Sequence, residues 1–138
     1  MKTKIVIATH GKFAEGILGS AELILGKQDN IEVINCYLDS EVNYDSIFNE
    51  VVQKHDYQKE NLLVITDLLG GSVNNEFLKN IEKYPFFLIS GLNLYLLLEV
   101  LIKRDDINLV TIKEIVENSK NFIKCCNEIE YTTENTDF

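Results

Sequence analysis

Apolar residues along this chain fall into two alternating rhythms. Short runs rich in β-branched residues read as strands: Lys2 to Thr9, Ile31 to Tyr37, Leu62 to Asp67 and Phe86 to Ser90. Between them, apolar residues recur every three or four positions, which is helical spacing. The first helix runs from Phe13 through Ile17, Ala21 and Ile24, with Leu18 and Leu25 beside them, and Gly26 stops it. The second carries Tyr44, Ile47, Phe48, Val51, Val52 and His55 on one face. The third follows Gly70-Gly71-Ser72 and turns Val73, Phe77, Leu78 and Ile81 inward. Leu92 to Ile102 reads as a buried helix closed by Asp105 and Asp106. Thr111-x-x-Glu114 then resembles a capping box opening a last helix through Ile112, Ile115, Val116, Ser119, Phe122, Ile123 and Cys126. Ile129 to Thr133 alternates weakly and offers one more strand.

Four strand–helix units in succession predict an α/β fold, a doubly wound domain with a parallel sheet and helices on both faces. Right-handed crossovers favour the strand order 2-1-3-4. That order places its reversal between strands one and three, so their carboxyl ends share a crevice. No linker, repeat or low-complexity run divides the 138 residues, which suit one domain with one core.

Composition narrows the function classes. The formal charge of −9 argues against nucleic acid, whose phosphates are neutralised by Lys and Arg, and against anionic lipid. Leu92 to Ile102 is far shorter than the ~20 residues that span a bilayer. The cysteines Cys36, Cys125 and Cys126 lack zinc-ligand spacing and read as small buried hydrophobes, so no metal is expected. Their odd number and the lack of a signal peptide fit a reducing cytoplasm.

The candidate chemistry lies at two predicted strand ends. Strand one finishes Thr9-His10-Gly11, and strand three finishes Thr66-Asp67 before Leu68-Leu69-Gly70-Gly71-Ser72. An aspartate accepting from one imidazole nitrogen fixes the tautomer and leaves the other nitrogen nucleophilic. Gly70, Gly71 and Ser72 offer a tight loop at a helix start, which favours an anion. Together these features point to phosphoryl transfer through a phosphohistidine, with no cofactor. Each part also has a plainer reading: a solvated strand-end histidine, an aspartate that caps helix three, and a glycine pair that only turns the chain. His55 has no polar companions and is expected to have no role. The chain lacks a G-x-G-x-x-G after strand one, a P-loop and a G-x-S-x-G elbow.

At these residues the chain resembles the IIA component of the mannose/fructose/sorbose family of the bacterial phosphoenolpyruvate-dependent sugar phosphotransferase system. The resemblance runs from about Lys2 to Asn127. It rests on Ile7-Ala8-Thr9-His10-Gly11, Ala14-Glu15, Ala21-Glu22, Leu25-Gly26, Thr66-Asp67, Gly70-Gly71-Ser72, Asn74 and Ser90-Gly91-Leu92-Asn93. It implies a 2-1-3-4 parallel sheet, and a domain over residues 1–127 followed by a tail or exchanged strand over 128–138 in a homodimer. It also implies a cytoplasmic protein whose His10 takes a phosphoryl group from the phosphocarrier HPr and passes it to a IIB component, with the membrane IIC/IID permease acting indirectly. By the same resemblance Asp67 orients the imidazole, and Gly11, Gly70, Gly71 and Ser72 lie around the phosphate. Leu68, Leu69 and Val73 depart from the threonine, aromatic and proline of well-known members. A phosphotransferase subunit serving dihydroxyacetone kinase and a phosphorylation-sensed regulatory module are the alternatives that share the histidine.

Overall fold

The computed structural model describes residues 1–131. Four parallel strands form one open sheet in the order β2-β1-β3-β4. They are β1 (Thr3–His10), β2 (Ile31–Cys36), β3 (Asn61–Thr66) and β4 (Phe87–Ile89). The central strand β1 sets the register on both sides. Ala8 faces Thr66 across one side, and His10 faces Cys36 across the other.

Because side chains alternate along a strand, the two faces of the sheet build two cores. Ile5 and Ile7 of β1 join Leu63 and Ile65 of β3 on one face. Covering them are α1 (Phe13–Leu25), α4 (Leu94–Ile102) and α5 (Leu109–Lys120). Val6 and Ala8 join Leu62 and Val64 on the opposite face, under α2 (Tyr44–Gln53) and α3 (Ser72–Leu78). The near-continuous apolar runs of β1 and β3 follow from burial on both sides.

Helix starts explain much of the local geometry. Asn43, Asn93 and Asn108 cap α2, α4 and α5, each side-chain oxygen accepting a backbone N–H three residues on. At α1 the Thr9 hydroxyl takes that role and accepts the Ala14 N–H at 2.8 Å. This bond ties the helix to the end of β1, directly beside His10. Gly26 ends α1 at φ 86°, and its N–H donates to the Glu22 carbonyl.

The structure shifts several expectations. On α1 the buried stripe is Ala14, Ile17 and Ala21, while Phe13, Ile24 and Leu25 are exposed. On α3, Val73 and Phe77 point inward with Asn74, but Leu78 lies at the surface, and Ile81 falls beyond the end of the helix and is exposed. The last helix is capped by Asn108, which places Thr111 in its first turn rather than at its cap. That helix ends at Lys120, so Phe122 and Ile123 fall beyond it and are exposed. Cys36 is buried as expected, whereas Cys125 and Cys126 are exposed. A 3-10 turn at Arg104–Asp106 follows α4. Ile129 to Tyr131 form no strand, and Thr132 and Thr133 lie outside the described residues. Among the described residues no helix is long and apolar enough to cross a membrane.

Candidate functional site

His10 is the last residue of β1, and Asp67 is the first residue after β3. Parallel pairing of the two strands delivers both side chains to the same edge. Asp67 Oδ2 lies 2.8 Å from His10 Nδ1 and accepts the His10 backbone N–H at 2.9 Å. The other oxygen, Oδ1, accepts the Leu68 N–H at 3.0 Å. The carboxylate is thus committed to His10 and its own turn, and it does not cap α3.

Burial pushes the Asp67 pKa up, but the backbone and ring hydrogen bonds and the charge of His10, with its own turn's N–H, outweigh burial. The net position is below the ordinary carboxylate value. At neutral pH Asp67 is therefore ionised and can only accept. Nδ1 must then carry the proton, which leaves a lone pair on Nε2 in the neutral ring. The side chains differ in exposure: His10 is 43% accessible and Asp67 10%. The positioning group is sheltered while the imidazole faces solvent. Among the described residues nothing hydrogen-bonds Nε2.

The loop after Asp67 supports this ring from below. Gly70 turns it at φ 82°, a left-handed conformation that glycine adopts without a Cβ penalty. A methyl group added at Gly71 would sit 3.2 Å from both Leu68 Cβ and the Leu68 carbonyl, and 3.6 Å from His10 Cε1. The Gly71 N–H is already donated to the Leu68 carbonyl at 3.1 Å. Gly71 therefore supplies clearance rather than a free donor. The α3 helix opens at Ser72 with no side-chain cap on its first turn. Gly11 turns away from His10 at φ 59°, and its N–H donates to the Cys36 carbonyl at 2.9 Å. The six residues singled out from sequence thus gather at one sheet edge.

Other contributors had weaker sequence signals. The buried Thr66 hydroxyl donates to the Asn74 side-chain oxygen at 2.7 Å, locking the end of β3 to α3. Tyr37 brings its ring to 5.3 Å from the imidazole, centre to centre. Leu68 and Leu69 are exposed on the rim. His55 is remote from this edge, and its Nε2 meets the Glu60 carbonyl at 2.9 Å. Among the described residues no cluster of three or more His, Cys, Asp or Glu side chains could hold a metal ion.

Comparison with known proteins bears on this arrangement. The family model for the PTS system fructose IIA component, EIIA-man, matches residues 4–120. The mannose-specific EIIAB component of the Escherichia coli (strain K12) PTS system is 36% identical over 110 residues, covering 77% of this chain and 33% of that protein. The chain thus spans about a third of the length of the curated relatives it matches. A Klebsiella pneumoniae structure, provisionally described as a phosphoenolpyruvate-dependent sugar phosphotransferase system permease, superposes with a TM-score of 0.86 at 41% identity, covering 93% of each chain. Phosphotransferase system component EIIA from Streptococcus agalactiae superposes at 0.77 with 30% identity, covering 92% of this chain and 99% of its own.

Proposed function

This chain belongs to the EIIA-man family of phosphotransferase-system IIA components, and on that premise we propose that it is a phosphocarrier working through His10. The imidazole Nε2 attacks the phosphorus of a phosphohistidine on an HPr-type carrier. The donor P–N bond breaks as the new one forms, and the departing nitrogen keeps the electron pair. In the second half-reaction a histidine of a IIB component attacks the same phosphorus and restores free His10. No net oxidation or hydrolysis occurs in either half. The protein's part is positioning and charge stabilisation.

The observation that carries this reading is the 2.8 Å contact from Asp67 to Nδ1 of a half-exposed imidazole. It fixes the nucleophilic tautomer, and it stabilises the cation once Nε2 bears phosphorus. Ser72 and the uncapped start of α3, next to the ring, are proposed to receive the phosphoryl oxygens. Gly11 and Gly70 set the flanking turns, and Gly71 leaves room for the ring. The exposed Leu68 and Leu69 form part of the docking rim, where a hydroxyl-bearing residue would have added a polar contact. The donor and acceptor proteins, the homodimer and the coupling to a membrane permease follow from family membership and are proposals for this chain.

The test is labelling by phosphoenolpyruvate, enzyme I and HPr, read by intact mass. Wild-type protein gains one phosphate, and His10→Ala gains none. Equal labelling of the variant would remove His10 from the reaction.

A further inference from the structure

We infer that Tyr37 is a positioning residue for His10, holding the imidazole plane so that Nε2 faces the incoming phosphorus. The inference rests on the phosphocarrier reading for its consequence, but on local geometry for its content.

Two non-glycine residues among those described have positive φ, Asn30 at 55° and Tyr37 at 65°. Asn30 has a local reason. Asparagine tolerates the left-handed region, and its amide donates to Glu60 at 2.8 Å. Tyrosine has no such tolerance, and a bulky residue held there marks an imposed constraint. The constraint has a visible result. Tyr37 follows Cys36, the residue paired with His10 at the β1–β2 edge. The left-handed turn there brings the tyrosine ring to the histidine, centroids 5.3 Å apart and planes tilted 51°. In a β conformation the chain would simply extend β2.

The ring is itself braced. Tyr44 packs edge-on against it at 5.2 Å, and the Asp39 N–H donates to the Tyr44 hydroxyl at 3.3 Å. From Tyr44 the aromatic contacts continue to Phe48 and Phe77 in the core. Tyr37, itself exposed, thus links the aromatic chain that runs from the core to the imidazole at the surface.

A single hydrogen bond at Nδ1 leaves an imidazole free to rock about that contact. Asp67 holds one edge of the ring, Gly71 lies by Cε1, and Tyr37 supplies the third support. Together they leave Nε2 as the open position. Misplacement of a reacting atom by about 1 Å costs on the order of 10²-fold in rate.

Three variants separate positioning from folding. Tyr37→Gly and Tyr37→Asn both accept the left-handed backbone but remove the ring. Tyr37→Phe keeps the ring and drops the hydroxyl. The readouts are the nitrogen NMR signals of the His10 imidazole in the unphosphorylated protein and the rate of labelling by phosphoenolpyruvate, enzyme I and HPr. We expect Tyr37→Gly and Tyr37→Asn to fold, to keep the Nδ1–H tautomer that Asp67 fixes but show His10 nitrogen signals broadened by motion of the ring, and to label about 10–100-fold more slowly. Tyr37→Phe should retain the wild-type ring signals and a rate within about threefold of wild type. Wild-type ring signals in folded Tyr37→Gly and Tyr37→Asn overturn the inference whatever their rates. So does an equal defect in Tyr37→Phe. Should wild-type protein itself take no label, the phosphocarrier reading fails, while the ring signals still decide whether Tyr37 positions His10.

Discussion

Among individual residues, the chemistry turns on how one carboxylate treats one imidazole. Asp67 accepts from both the backbone and the ring of His10, so its ionised form is favoured in the folded state despite burial. The substitution Asp67→Asn would put an amide, able to donate as well as accept, against Nδ1 and release the tautomer. We expect this variant to fold and to transfer about 10²–10⁴-fold more slowly, measured by rapid-quench labelling. The same carboxylate also links stability to pH. Its folded pKa is lowered, so its stabilising contribution is complete above the ordinary carboxylate value of about 3.9 and disappears as pH falls through the lower folded value. Melting curves should therefore show wild type above Asp67→Asn near neutrality, with the gap closing on acidification. A gap that stays constant into strong acid would deny the linkage. The partnership of His10 and Asp67 was legible in the sequence because each residue sits at the end of a clear apolar run. Tyr37 was not, since no local pattern reveals that a tyrosine adopts positive φ.

Among the secondary-structure elements, strands were easier to read than helix faces. Runs such as Leu62-Leu63-Val64-Ile65 are buried on both sides and declare themselves. Helix faces are ambiguous by one position when apolar residues are abundant. In α1, Phe13 and Ile24 fit the spacing, yet small Ala14 and Ala21 are the residues that let the helix approach the sheet. The last helix shows a further ambiguity. Thr111 and Glu114 have capping-box spacing, but Asn108 stands earlier and accepts the Thr111 N–H at 3.0 Å. Asn108→Ala should cost ~1 kcal/mol in urea unfolding, while Thr111→Ala, inside the first turn where alanine is the better helix former, should change stability by no more than a few tenths. The reverse ranking would restore the capping-box assignment. The recurrence of asparagine before α2, α4 and α5 was the available signal for these starts.

Across the molecule, the 2-1-3-4 order explains why the chemistry sits where it does. The chain moves outward from β1 to β2, then crosses back to β3, so α1 and α3 leave adjacent strand ends on opposite faces. His10 and Asp67 meet at that reversal. Fold class and strand order were legible because four βα repeats and right-handed crossovers leave few topologies. The fate of the cysteines was less so, because apolar character alone does not reveal where a helix ends. Cys36 is in the core, and burial first, then the charge of Asp67, pushes its thiol up to about 12. Cys125 and Cys126 lie beyond α5 and are exposed. A disulfide-type thiol reagent at pH 8 should titrate two thiols in the native protein and the third only on denaturation. Three fast thiols would mean that the core around Cys36 opens readily. The proposed chemistry comes down to a single atom, and the nitrogen that carries phosphorus can be observed directly. Phosphorus and nitrogen NMR of protein phosphorylated by phosphoenolpyruvate, enzyme I and HPr should show one phosphohistidine, bonded through Nε2 of His10. Phosphorus on Nδ1, or on any other residue, would refute the mechanism.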